Sequence, residues 1–118
     1  METTPEMYER LVPVREAARL LVAECSDRST SPERLAEIAE GLDGTTSVRA
    51  ALALAANPST PARLVVDFAT GWNLAELRLA AVKNPSCPTE VIAKVALTDR
   101  SGRVRKAARR AARRALDR

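Results

Sequence analysis

Histidine is absent from this 118-residue chain, and the aromatic residues number three: Tyr8, Phe68 and Trp72. The first absence removes the side chain that most often moves protons near neutral pH and most often ligates transition metals. No phosphate-cradling glycine loop, nucleophile motif or clustered set of metal ligands takes its place. The carboxylates Glu33, Glu37 and Glu40 fall at helical spacing and read as one exposed helix face, not as an acid–base pair. The chain therefore reads as a non-enzyme, with no cofactor and no metal. The scarcity of aromatics also argues against a stacking platform for single-stranded nucleic acid.

The two cysteines, Cys25 and Cys87, stand 62 positions apart, too far for a local metal motif. Cys25 continues the stripe Leu21, Val22, and Cys87 fills the slot that Thr60 holds in an earlier motif, so both read as small buried hydrophobes. No run approaches the roughly 20 apolar residues of a membrane span. The segment Met1–Glu6 is acidic and polar, unlike a secretory signal. The expectation is a soluble, cytoplasmic protein that does not meet a membrane.

What the chain does contain is alanine and leucine, which supply most of its 46% apolar content and suit close helix–helix packing. It also contains a repeat. Asn57-Pro58-Ser59-Thr60-Pro61 returns 27 positions later as Asn84-Pro85-Ser86-Cys87-Pro88. A period of that size is the signature of stacked helical units, each of which cannot bury its apolar face alone.

The local signals place helices throughout. Thr4 caps a short helix opened by Pro5 and Glu6, which Pro13 interrupts. A second helix runs from about Pro13 to Cys25, with Val14, Ala17, Ala18, Leu21, Val22 and Cys25 inward. After the polar loop 26–31, Pro32 opens a helix burying Leu35, Ile38 and Ala39 and stopped by Gly41. Gly44–Ser47 leads into a helix carrying Val48, Ala51, Leu52 and Ala55. Thr60 caps the next, starting at Pro61, with Leu64, Val65, Phe68 and Ala69 inward and Gly71 as its stop. Another follows through Leu74, Leu77, Ala80 and Ala81, then one from Pro88 with Val91, Ile92, Val95 and Ala96, then a basic final helix. Aligning Ser31, Pro61 and Pro88 gives the columns Leu35/Val65/Ile92, Ile38/Phe68/Val95 and Ala39/Ala69/Ala96. The expected architecture is one all-α domain over 1–118, a short α-helical solenoid of about three units. Residues 5–25 form an N-terminal helical cap, 31–56, 57–83 and 84–118 the repeats.

These residues resemble the variant leucine-rich repeat family, a HEAT-like helical array, over residues 31–112. The shared pattern is Asn-Pro-Ser-Thr/Cys-Pro, an apolar pair, apolar-Ala, then Val/Leu-Arg ahead of the next Asn-Pro. The first unit departs from it: Ser31 replaces a proline, and residues 48–57 run two positions longer than 77–84. Some members carry a cysteine cluster for iron and sulfur before the repeats, but the single early cysteine here does not support one. The resemblance implies an interaction scaffold.

Arginine recurs after an apolar residue at Val48-Arg49, Leu77-Arg78 and Val104-Arg105. Asp43 precedes Arg49 by six positions and Asp99 precedes Arg105 by six, while Trp72 holds the matching place before Arg78. Either the arginines line a groove for acidic groups, or Asp–Arg pairs staple adjacent turns of the array. Arg78, without its aspartate, is either stacked on Trp72 or free for a ligand.

Charge is uneven. Residues 103–118 hold eight cations and one acid, net +7, and the other 102 residues hold eleven cations and fourteen acids, net −3. In the final helix Val104, Ala107, Ala108, Ala111, Ala112, Ala115 and Leu116 form the apolar stripe and arginines take the rest. That helix is a polar cap, a nucleic-acid contact through Arg109, Arg110, Arg113 and Arg114, or a site for an acidic protein. The preferred function is a protein–protein interaction scaffold or adaptor contacting its partner through Trp72, Arg78, Arg49 and Arg105. The alternative is nucleic-acid binding through the basic helix, by duplex backbone contact.

Overall fold

The computed structural model describes residues 5–42 and 48–117, with side chains from Pro13 onward. Seven helices follow one another: α1 Pro5–Ser26, α2 Pro32–Glu40, α3 Val48–Ala56, α4 Ala62–Thr70, α5 Ala75–Lys83, α6 Thr89–Thr98 and α7 Gly102–Leu116. Among the described residues there is no strand. The odd-numbered helices lie side by side, α1 on α3, α3 on α5 and α5 on α7. The others cover them: α2 packs on α3, α4 on α5 and α6 on α7, and α4 touches α6. The radius of gyration is 16.5 Å.

The helix ends follow local chemistry. Ser31 sits in extended backbone and its Oγ accepts from the Arg34 amide at 3.1 Å, with Pro32 in the first turn. Pro61 and Pro88 take the same place before α4 and α6, each by its carbonyl alone, so those helices begin one residue later than the prolines predict. Gly71 closes α4, its amide 2.8 Å from the Asp67 carbonyl. A Cβ at Gly71 would stand 3.1 Å from that same oxygen, which favours glycine there.

The core runs down the seam between the layers. Leu35, Val65 and Ile92 are buried, as are Ile38, Phe68 and Val95. In the alanine column Ala69 and Ala96 are buried and Ala39 is half-buried.

Two expectations fail near the start. Pro13 does not split the first segment: α1 is one 22-residue helix with Pro13 inside it, exposed. A proline removes one amide donor, a loss that a solvent-facing helix can carry. The expected inner face is also too long. Val14, Ala17 and Ala18 are exposed, Leu21 and Val22 half-buried, and only Cys25 fully buried. The neighbour is the reason, since α1 runs about 33 Å and nine-residue α3 about 13 Å, which leaves the first turns of α1 uncovered. The expected Thr4 cap and the Gly44–Ser47 lead lie outside the described residues.

Asparagine staples and the register of the helices

Each repeated Asn-Pro-Ser motif locks its loop onto the preceding one. The Asn57 side-chain amide donates to the carbonyls of Cys25 at 2.8 Å and Asp27 at 2.9 Å. The Asn84 amide donates to the carbonyls of Ala55 at 2.8 Å and Asn57 at 2.9 Å. Both asparagines are buried, so these bonds satisfy groups that water cannot reach. Their oxygens accept from the amides of Ser59 and Ser86, both at 2.9 Å, and the serine hydroxyls donate to the Arg28 and Pro58 carbonyls.

The acceptors expose an earlier copy of the motif, Asp27-Arg28-Ser29-Thr30-Ser31. Asp27 accepts from the Ser29 amide as the asparagines do, and Thr30 donates to the carbonyl six residues back, Glu24, as Thr60 does to Leu54. Thr60 therefore bonds the end of α3; it does not cap α4.

The same frame fixes which helix residues correspond. α3 and α5 each have nine residues, and each ends one residue before its stapling asparagine. Ala50, Ala51, Leu54 and Ala55 are buried in α3, and Leu77, Arg78, Ala81 and Val82 in α5, 27 positions on. Ala51 is thus the counterpart of Arg78, and Arg49, which is exposed, corresponds to Glu76 and Arg103. The two positions of excess expected within 48–57 are not there. The first unit is longer in the α2–α3 connection, residues 41–47, against 71–74 between α4 and α5.

Candidate functional site

The expected arginine ladder has two rungs in register, Arg78 and Arg105, and each bonds main-chain oxygens of its own neighbourhood. Arg78 is 5% exposed. Its Nε donates to Asp99 Oδ2 at 2.8 Å and its Nη2 to Oδ1 at 3.2 Å, while Nη1 donates to the carbonyls of Trp72 and Asn73, both at 2.9 Å. Arg78 is therefore neither stacked on Trp72 nor free for a ligand. Its aspartate comes from the following unit, 21 residues away. Arg105 repeats the backbone part of this contact, Nη1 donating to the Asp99 carbonyl at 2.6 Å. In both cases the six-residue spacing joins arginine to a main-chain oxygen and not to a carboxylate. Burial raises the Asp99 carboxyl, and the bonds from Arg78 and the Ser101 amide outweigh it, leaving its pKa below the usual value. Asp43, the expected partner of Arg49, lies outside the described residues.

Trp72 is half-buried, its ring centroid 5.6 Å from that of Phe68 with the planes tilted by 38°. Its exposed side borders an open cleft of about 420 Å³ shared with Asn73, Lys94 and Arg100. Arg100 reaches across to the Asn73 carbonyl and side-chain oxygen at 3.3 and 3.2 Å. Of the four residues expected to hold a protein partner, Trp72 and Arg78 share this cleft, Arg105 braces the loop behind it, and Arg49 stands elsewhere on α3.

A second cleft, about 330 Å³, runs between α5 and α7. Lys83, Arg103, Lys106, Arg110 and Arg114 line it over a floor of Leu79 and Ala107, with no carboxylate in the lining. At about 100° per residue, Arg103, Arg110 and Arg114 fall on one stripe of α7. Arg109 and Arg113 lie outside it, so the four arginines expected at a nucleic-acid contact divide into two pairs. Arg110 and Arg114 face the cleft, and Arg109 and Arg113 are exposed outside it. Reading the final helix alone missed Lys83, Arg103 and Lys106. The signal was the coincidence of Lys83 at the end of α5 with the +7 segment, recognisable only once α5 is known to lie beside α7.

Neither buried thiol extends a site. Burial pushes Cys87 up to about 11 and raises Cys25 as well, which keeps both protonated and inert. Among the described residues no group of histidine, cysteine or carboxylate side chains could hold a metal ion, and no helix is long and apolar enough to cross a membrane. Comparison with family models, curated proteins and solved structures finds no match to this chain.

Proposed function

We propose that this chain is a non-enzymatic binding module, a short solenoid of variant leucine-rich type that presents the face of α5 and α7 to an anionic macromolecule. The observation that carries this reading is the α5–α7 cleft, where five cations converge without a carboxylate among them. Such a concentration of one sign raises the local potential and draws in a partner of the other. The repeat assignment rests on the recurrence of the same side-chain-to-backbone bonds at Asn57 and Asn84, 27 residues apart. Retention on immobilised heparin, lost as salt rises and weakened by a Lys83→Gln/Arg110→Gln/Arg114→Gln variant, is the expected outcome. Passage of the native protein through the column at low salt would end this reading.

A protein partner seated on the Trp72 cleft is the second reading, and the half-exposed indole beside Lys94 and Arg100 favours it. Trp72→Ala should then weaken capture of that partner while leaving heparin retention unchanged.

A further inference from the structure

We infer that the basic cleft and the outer face of α7 together grip the backbone of duplex DNA, a deepening of the reading just given that rests on it. Protein partners are held by aromatic or aliphatic anchors sunk in dry pockets. Here the floor is Leu79 and Ala107, shallow and small, and every projecting group is a cation. The chain's only tryptophan borders the other cleft, and its only phenylalanine is buried against that tryptophan. Without a ring to stack on, an unpaired base gains nothing here, so the ligand is a backbone and not a single strand's bases.

The spacing fits phosphates. From Arg103 to Arg114 the stripe extends about 16.5 Å at 1.5 Å per residue, against one phosphate per about 3.4 Å of axis along each strand. Arg109 occupies the register of Ala55 and Val82, which the next helix buries, yet Arg109 is exposed. The exposed arc of α7, from Arg109 and Arg113 round to Arg110 and Arg114, spans about 140° of the cylinder and is cationic but for Asp117 at its C-terminal end. A helix of about 10–12 Å diameter matches the about 12 Å major groove of B-form DNA, whose walls are phosphate. The A-form major groove of duplex RNA is too narrow to admit it. Glu76, bordering the adjoining cleft toward α3, ends the basic track there, so the footprint is short and the contact sequence-tolerant.

The test is fluorescence anisotropy of a short labelled DNA duplex with the full chain across a salt series. Seven contacts, the five of the cleft with Arg109 and Arg113, predict a log–log salt slope of about −6.3, and the Lys83→Gln/Arg110→Gln/Arg114→Gln variant should reduce it to about −3.6. Lys83→Gln alone should reduce it by about 0.9, which keeps the test valid if the triple variant loses its helical signal. Heparin retention without DNA binding would overturn the inference while sparing the broader reading. An unchanged slope in the variants, tighter binding of the same duplex as RNA, or stronger displacement by polyglutamate than by unlabelled DNA would each overturn it too.

Discussion

Arg78 and Asp99 form a two-point ion pair across 21 residues, with each side chain 6% exposed. The pair joins α5 to the α6–α7 connection, and the remaining Arg78 donors hold the α4–α5 connection. Two loops of successive units are thus fastened to one guanidinium. Removing the carboxylate strands a buried positive charge, which costs more than the pair itself contributes. Asp99→Ala should lower unfolding stability by about 3–5 kcal/mol in a urea titration, and a loss under about 1 kcal/mol would show the pair to be hydrated.

The same carboxylate should contribute to the acid limit of the fold. Its pKa in the folded chain lies below the usual aspartate value, and Glu24, bonded by Arg34, and Asp27, bonded by Ser29, are each held below the usual value of their own type. Depressed carboxylates stabilise fully above the unfolded pKa, and that contribution disappears as pH falls through the folded values. Midpoints of thermal unfolding should therefore be level from neutrality to about pH 5 and drop below pH 4. Asp99→Asn should flatten that drop, and an equally steep acid limb in the variant would assign it elsewhere.

Asn84 tests the staples. Its amide bonds two carbonyls in a buried site; Asn84→Ala removes that donor from both, the Asn57 oxygen keeping only the Thr60 amide, and should cost about 1–3 kcal/mol. Asn84→Asp should be worse, because a carboxylate would face those two oxygens. An Asn84→Ala protein that melts with the native one would mean that water replaces the side chain without loss.

Cys87 offers a gain. Thr30 and Thr60 each donate to the carbonyl six residues back, and the corresponding oxygen for position 87 belongs to Ala81. Cys87→Thr should supply that missing bond and raise stability by about 1 kcal/mol, read from the urea midpoint. Destabilisation beyond about 1 kcal/mol would show that this loop differs in shape from the other two.

Much of the scaffold was legible in the sequence, because apolar columns such as Leu35, Val65 and Ile92 recur at fixed offsets from a turn signal. The proline and glycine boundaries came from the same local chemistry. Helix correspondence in the first unit was not legible. Val48-Arg49 mimics Leu77-Arg78 as a dipeptide, whereas the true counterpart of Arg78 is Ala51, whose side chain carries no polar signal. The Arg78–Asp99 pair joins different units, and local spacing pointed instead to Arg105 as the partner of Asp99. Lys83 was hidden for a related reason: its cationic neighbours in the cleft lie 20 or more positions away, on another helix.

Asn84 donates its second hydrogen bond to the carbonyl of Asn57, so the residue that grips the loop before it is itself the handle for the loop after it. Such a fastener has a plug on one side and a socket on the other. A duplicated segment 57–83, spliced in after Lys83, would meet matching partners at both joints without any new contact being invented. Gene duplication could lengthen a chain like this in steps of one segment, while an insertion of any other length would misalign plug and socket. The residue 27 positions beyond Asn84 is Ala111, buried within α7 and without an amide, and there the sequence of fasteners stops.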